Sequence, residues 1–216
     1  MSSFLVIGMG RFGSSVATEL SRLENDVLVL DNREENVAKI MDQVTEALVG
    51  DAKDEAVLRS LGVEDFDCVI VAMAGVIEDS VLTTMMLKEM GAKSIVCKAK
   101  NARHAKILTQ LGADRVVRPE YDMGIRVARS LSRLNVIDFL DISPDFGVME
   151  VLTPKLWAGK SISKINPRQQ HGTTIIAVHS GDSVNFSLDA DTILSEGSIL
   201  TLIGAKRDLD YISNLK

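Results

Sequence analysis

Short apolar segments alternate with helical patterns along the first 134 residues of the chain. Six runs have the composition of strands covered on both faces, at residues 4–7, 27–30, 47–49, 68–73, 94–97 and 115–117. Between them, segments such as 81–90 repeat apolar side chains at about 3.6 residues per turn, as amphipathic helices do. Because a parallel strand can start only after a crossover connection, this alternation predicts an α/β fold with a doubly wound parallel sheet.

The pattern changes after residue 134. A last helix is predicted over 121–134, and beyond it short alternating runs at 148–152, 174–179, 183–186 and 198–203 are separated by turn residues. A closing helix is expected near 208–215. The sequence therefore predicts a small β-rich α+β domain after the parallel sheet, and we place the two domains at 1–135 and 136–216.

Composition excludes several classes of protein. The chain has 216 residues, of which 46% are hydrophobic and 25% charged, as in soluble globular proteins. Its net charge of −6 argues against a nucleic-acid partner. The amino terminus shows no basic segment followed by an apolar one, so we expect no export, and no apolar stretch approaches the roughly 20 residues of a membrane span. Cys68 and Cys97 lie in strand-like runs typical of buried free thiols. We therefore expect a cytoplasmic protein.

The most specific local feature is the segment Gly8-Met9-Gly10-Arg11-Phe12-Gly13, which joins the first strand to a helix. Gly8 permits a tight turn, Gly10 lets the backbone approach a phosphate, and Gly13 lets the helix pack closely on the strand. The start of the helix then offers free N–H groups and the positive end of its dipole to an anion. This context predicts a phosphate site in a Rossmann-like fold.

Asp31 ends the second predicted strand, where its carboxylate could accept hydrogen bonds from both ribose hydroxyls of an adenosine. A 2′-phosphate would be repelled, which disfavours NADP, whereas NAD, ATP, ADP and AMP remain open. The alternative is that Asp31 only starts the next helix. The guanidinium of Arg11 suits terminal phosphate oxygens, although it could also be a surface side chain.

Other candidate residues rest on their position at the carboxyl ends of predicted strands, where doubly wound sheets bind ligands. They are Asp51, the segment Met73, Ala74 and Gly75, and the lysines Lys98 and Lys100. His104 could face a ligand or start a helix. Glu120, next to Pro119, is more typical of a helix-start acid than of a metal ligand.

The sequence offers no catalytic residues. We find no tyrosine followed four residues later by lysine, no cluster with zinc spacing, no Walker loop and no nucleophile elbow. We therefore expect a nucleotide-binding protein that is not an enzyme. Two alternatives stay open, namely an NAD-dependent oxidoreductase and a nucleotide sensor that acts on a soluble partner.

Five segments together resemble a known family. They are residues 6–13 (VIGMGRFG), 58–63 (LRSLGV), 82–89 (LTTMMLKE), 111–116 (LGADRV) and 119–124 (PEYDMG). In these segments the chain resembles the regulatory subunits of bacterial Ktr and Trk potassium-uptake systems, which combine an RCK N-terminal nucleotide-binding domain with a small RCK C-terminal domain.

The resemblance implies a function and partners. Such a protein gates a membrane-embedded potassium transporter from the cytoplasmic face of the membrane and is switched by ATP against ADP, or by NAD(H). It forms homodimers that assemble into a ring, with eight subunits expected.

The resemblance also implies roles for individual residues. Gly8, Gly10, Arg11, Phe12 and Gly13 would hold the phosphates, and Asp31, Asn32 and Arg33 would surround the ribose. Asp51, Ala52, Met73, Ala74, Gly75, Lys98, Ala99, Lys100 and His104 would complete the adenine and phosphate walls. Glu120 would share a divalent cation, Mg²⁺ or Ca²⁺, with the γ-phosphate across a dimer interface. Cyclic di-AMP could bind the small domain near Ile162, Arg168 and Ile175.

Overall fold

A computed structural model describes residues 1–73, 75–132 and 135–215. The chain divides into two compact units, Met1–Pro119 and Glu120–Lys216. The second unit thus includes nearly all of the helix that the sequence analysis assigned to the first domain. The boundary between residues 135 and 136 stays a prediction.

The first unit is a six-stranded parallel sheet with helices between the strands, which confirms the predicted doubly wound fold. Its strands are β1 (Ser3–Ile7), β2 (Asp26–Asp31), β3 (Glu46–Val49), β4 (Cys68–Val71), β5 (Ile95–Lys98) and β6 (Arg115–Val117), and its helices are α1 (Arg11–Arg22), α2 (Glu34–Ala38), α3 (Glu55–Ser60), α4 (Ile77–Glu89) and α5 (Ala102–Gln110). The strand order is β3-β2-β1-β4-β5-β6, so the direction of winding reverses between β1 and β4. Ligands of doubly wound sheets bind outside the carboxyl ends of the strands at such a reversal.

The central strands are apolar throughout because both faces of the sheet are covered. Along β1, Leu5 and Ile7 belong to one hydrophobic cluster and Val6, between them, to another. This alternation follows from the two-residue period of a strand, and it places one apolar layer on each side of the sheet. The edge strand β3 is only partly covered, and Val49 is exposed.

The second unit contains a five-stranded antiparallel sheet of order β10-β9-β11-β8-β7, as expected for a β-rich α+β domain. Its elements are α6 (Pro119–Leu131), β7 (Val136–Asp141), β8 (Phe146–Leu152), α7 (Ile162–Ile165), α8 (Pro167–His171), β9 (Thr173–Ser180), β10 (Ser183–Asn185), β11 (Ile199–Ala205) and α9 (Lys206–Ser213). Helix α9 closes the core through Leu209 and Ile212, which are fully buried. The sequence analysis anticipated neither β7 nor the short helices α7 and α8. Its helix over 121–134 is observed from 119 to 131, and residues 133 and 134 lie outside the described part of the chain.

Within residues 1–73, 75–132 and 135–215, no helix is both long enough and apolar enough to cross a bilayer. Both cysteines are free thiols, Cys97 buried and Cys68 half-buried.

Candidate functional site

The turn from β1 to α1 requires glycine at two positions. Gly8 has φ +94°, and a Cβ on it would lie 3.0 Å from the backbone nitrogen of Met73. A Cβ on Gly13 would lie 1.9 Å from the carbonyl oxygen of Gly8, so α1 can pack this closely only without a side chain there. Gly10 has no atom within 4 Å of its Cβ position, which leaves open space in front of the loop backbone.

The N-terminus of α1 beside this open space carries positive potential. The N-cap residue is Gly10, which has no side chain to accept a hydrogen bond from the first N–H groups, and the first turn of α1 contains no acidic residue. Arg11, the first residue of the helix, is exposed. The Lys98 ammonium lies 5.8 Å from the centre of the Phe12 ring. Since the first N–H groups of a helix have no partner within it, this corner of the sheet favours an anion.

Asp31 links the glycine loop to the end of β2. Its Oδ2 accepts a hydrogen bond from the Met9 N–H at 2.5 Å, and its Oδ1 accepts from the Arg33 N–H at 2.9 Å and the Asn36 amide at 3.1 Å. The carboxylate is largely buried, with 9% of the residue exposed. Asp31 therefore holds the start of the next helix, as the alternative interpretation proposed, and also fixes the glycine loop.

A cavity of about 170 Å³ opens beside Asp31, at the carboxyl ends of β1 to β4. Its lining residues are Ile7, Gly8, Leu30, Asp31, Asn32, Gly50, Asp51, Ala52, Met73, Gly75, Val76 and Asp79. Seven of these were predicted from the sequence: Gly8, Asp31, Asn32, Asp51, Ala52, Met73 and Gly75. The other five lining residues were not predicted: Ile7, Leu30, Gly50 and Val76 directly adjoin predicted positions, and Asp79 lies in the first turn of α4. Following each strand through to its next helix would have found Asp79.

The remaining predicted residues lie elsewhere. Ala74 is outside the described residues. Those that do not line this cavity are Gly10, Arg11, Phe12, Gly13, Arg33, Lys98, Ala99, Lys100, His104 and Glu120. Lys100 approaches it, because its ammonium lies 3.4 Å from the carbonyl oxygen of Gly75. Glu120 is exposed at the second position of α6, in the second unit.

Carboxylates line the cavity, and cations lie close to them. Asp31, Asp51 and Asp79 line it, and the Lys53 ammonium lies 3.5 Å from Asp79 Oδ1 and 3.8 Å from Asp51 Oδ2. The other cations of the region, Arg11, Lys98 and Lys100, follow the glycine loop and the end of β5. This end of the sheet can therefore accept hydroxyl or amino donors beside the carboxylates and an anion beside the loop.

His104 is a buried residue that connects two walls of the region. Its Nδ1 accepts a hydrogen bond from the Lys100 N–H at 3.2 Å, so the ring proton is on Nε2, which donates to Ser80 Oγ at 2.9 Å. Ser80 Oγ donates in turn to the Ile77 carbonyl at 3.0 Å. Burial, and secondarily the Lys100 charge, lowers the pKa of His104. The neutral imidazole thus joins the end of β5 to the first turn of α4.

The described residues contain no group of three or more His, Cys, Asp or Glu side chains able to hold a metal ion. Glu120 by itself offers a single carboxylate. In the second unit, Ile175 is buried and Ile162 packs against the same core, while the exposed Arg168 donates to Thr174 Oγ1 at 3.3 Å.

This fold and site define a two-domain protein whose first domain has the architecture of nucleotide-binding sheets. The chain matches the family models of the TrkA-N domain over residues 4–119 and the TrkA-C domain over residues 148–216. It is 40% identical over 212 residues to Ktr system potassium uptake protein A of Bacillus subtilis (strain 168), covering 98% of this chain and 95% of that protein. It is 37% identical over 206 residues to Ktr system potassium uptake protein C of the same organism, covering 95% of this chain and 93% of that protein.

Solved structures agree on the fold. The GsuK RCK domain superimposes with a TM-score of 0.70 and 22% identity, covering 99% of this chain and 47% of that chain. The GsuK channel bound to NAD superimposes with a TM-score of 0.71 and 21% identity, covering 99% of this chain and 39% of that chain. The chain belongs to the family of Ktr potassium uptake proteins and contains a TrkA-N and a TrkA-C domain, so the resemblance found in its sequence is confirmed.

Proposed function

We propose that this protein is a nucleotide-binding regulatory subunit that gates a membrane-embedded potassium-uptake transporter. The observation that supports nucleotide binding best is the Asp31 carboxylate, fixed by the Met9 N–H at 2.5 Å between the open glycine loop and the cavity. The potassium transporter as partner is supported by the 40% identity to a potassium uptake protein over nearly the whole of both chains.

The nucleotide is one that contains adenosine. The strand order β1-β2-β3 places the glycine loop, Asp31 and Asp51 in succession along the sheet edge, which suits phosphate, ribose and base in that order. The cavity of about 170 Å³ is smaller than the roughly 300 Å³ or more of typical ligand pockets, so the phosphates extend over the open loop. Among solved neighbours, the GsuK channel carries NAD, GsuK carries ADP, and the Shewanella denitrificans Kef CTD carries AMP. Adenosine is common to all three ligands.

We attribute the switch between two states of the assembly to the γ-phosphate, which ATP has and ADP lacks. A ligand shifts a conformational equilibrium only if it binds the two states with different affinity, so ATP and ADP must interact differently with the assembly. Arg11 is exposed at the start of α1, and in this proposal its guanidinium contacts the terminal phosphate. Glu120 of a second copy supplies a carboxylate to a divalent cation shared with the γ-phosphate. In this proposal the protein forms homodimers, and these assemble into a ring of eight subunits at the inner face of the membrane.

Arg11→Ala tests the role in switching. The substitution is expected to weaken ATP binding by about tenfold and ADP binding by less, since a charged hydrogen bond contributes about 1.5–3 kcal/mol. Isothermal titration calorimetry with ATP and ADP, with and without a chelator, measures both losses and the part played by the cation. Arg22→Ala is a matched control, because Arg22 lies in the last turn of the same helix and pairs with Glu19. Equal losses for ATP and ADP would remove Arg11 from the switch.

Thermal unfolding with ATP, ADP, NAD and NADH identifies the resting ligand. A ligand at 100 times its Kd stabilises the folded state by about 2.7 kcal/mol, so the tightest nucleotide gives the largest rise in melting temperature at equal concentration. An NAD-dependent oxidoreductase would instead consume NADH with a substrate. A melting temperature that no adenine nucleotide raises would contradict the proposed function.

A further inference from the structure

We infer that Asn36 restricts Asp31 to one ribose hydroxyl, so that the two hydroxyls of a bound nucleotide contribute unequally to affinity. This inference rests on the proposed function, since it takes an adenosine ribose as the ligand of Asp31. It concerns a residue that lies outside the cavity lining and acts on the ligand through Asp31, as a positioning residue.

The acceptor positions of Asp31 support this inference. An ionised carboxylate has about four acceptor positions, two on each oxygen. In the described structure Oδ1 accepts two hydrogen bonds, from the Arg33 N–H and the Asn36 amide, and Oδ2 accepts one, from the Met9 N–H. Both positions of Oδ1 are therefore used, and a single position remains, on Oδ2.

Of the three groups that donate to Asp31, Asn36 uses its side-chain amide, and the other two are the backbone N–H groups of Met9 and Arg33. Its amide must present nitrogen to Asp31, because a carboxylate oxygen can only accept. Its own N–H donates to the Arg33 carbonyl at 3.0 Å, and the next residue, Val37, is buried with 7% exposed. The backbone of Asn36 is thus fixed in α2, from which its amide donates to Oδ1.

A ribose offers two hydroxyl donors, at its 2′ and 3′ positions, to this one vacant position. One hydroxyl bonds to the Asp31 carboxylate, and the other does not. The result is narrower than the expectation from sequence, in which Asp31 accepts both. Replacement of Asn36 by a side chain without a donor opens the second position on Oδ1, and both hydroxyls then bond to Asp31.

Calorimetric titration with ADP, 2′-deoxy-ADP and 3′-deoxy-ADP tests this inference. In the wild-type protein one deoxy analogue is expected to bind about tenfold more weakly than ADP and the other within about twofold, since a hydrogen bond to a charged group is the one lost. In Asn36→Ala both analogues are expected to lose about tenfold relative to ADP. Asn36→Leu, which keeps a similar volume without a donor, should behave as Asn36→Ala does. Glu35→Ala is the control, because Glu35 is the exposed neighbour on α2 and pairs with Lys39.

The outcomes separate this inference from the function on which it rests. Equal losses for the two analogues in the wild-type protein would overturn it, as would an inequality that persists in both Asn36 variants, and in either case ADP binding itself would stand. A wild-type protein that does not bind ADP would overturn the proposed function and this inference together.

Discussion

Gly13 and Gly10 differ in what a methyl group would meet, so the same substitution should reduce stability at Gly13 and nucleotide affinity at Gly10. Gly13→Ala would place a Cβ 1.9 Å from the Gly8 carbonyl oxygen and 3.0 Å from the Ala72 Cβ. The nearest atom belongs to the backbone, so helix α1 or the β1 turn must move. Gly10→Ala meets no atom within 4 Å and only fills the space in front of the loop.

The expected change in the free energy of unfolding of Gly13→Ala is the sum of two opposing contributions. Overpacking against a rigid neighbour costs up to about 3 kcal/mol, whereas alanine in place of glycine inside a helix gains about 1 kcal/mol. Gly13→Ala should therefore destabilise the fold by about 2 kcal/mol, which corresponds to a fall in melting temperature of about 4–8 °C for a chain of this size. Gly10→Ala should change the melting temperature by less than about 4 °C, because glycine and alanine differ by less than about 1 kcal/mol at an N-cap.

Thermal unfolding followed by circular dichroism measures both variants, and ADP titration measures their affinity. Gly10→Ala is expected to bind ADP at least about tenfold more weakly, since its methyl group occupies the space through which the phosphate approaches the backbone. A Gly13→Ala protein with the same melting temperature as the wild type would refute the close packing of α1 on the β1 turn. A Gly10→Ala protein with unchanged affinity would refute phosphate binding at this loop.

Two further predictions concern titratable groups. His104 has a pKa below its ordinary value of 6.5 in the folded protein. As the pH falls, His104 is therefore protonated in the unfolded chain before it is protonated in the folded one. Its contribution to stability is complete above pH 6.5 and is lost as the pH falls through the lowered pKa. His104→Gln should reduce the fall in melting temperature between pH 7.5 and pH 5, and an unchanged pH dependence would exclude His104 as its source. In the second unit, hydrogen bonds from Arg126 are the main reason that the pKa of Asp138 is lowered. Arg126→Ala should return that pKa towards 3.8 in a carboxylate NMR titration, with little change in stability because the pair is partly exposed; a pKa that stays low would point to the Phe139 N–H instead.

The sequence predicted the first unit well because a two-layer core imposes a simple pattern. Strands β1 and β2 must be apolar on both faces, and the glycine turn and Asp31 mark where β1 and β2 end. The carboxyl ends of the other strands then follow from topology alone. This is why most cavity residues at β2, β3 and β4 could be identified from their positions.

Elements that depend on tertiary contacts were not predictable in the same way. Strand β7 contains a register shift between Val136 and Asp138, which interrupts its alternation. Helix α7 has four residues, too few to form alone, and its first N–H groups bond to the carbonyls of Thr192 and Ala190. Neither partner can be inferred from local sequence.

The same reason limits what sequence could say about the site. The bonds of Asp31 to Met9 and of His104 to Ser80 join segments of the chain that only the folded sheet brings together. Residue type and strand position indicated that Asp31 and His104 matter, but not that one fixes the glycine loop or that the other is buried.

The central claim is that Asp31 holds an adenine nucleotide beside the glycine loop. Calorimetric titration of ADP into the wild-type protein, Asp31→Asn and Asp26→Asn tests it most directly, because Asp26 is an exposed carboxylate at the opposite end of the same strand. Loss of a charged acceptor should weaken binding by about tenfold or more in Asp31→Asn and leave Asp26→Asn equal to the wild type. An affinity for ADP that is the same in all three proteins would contradict the account.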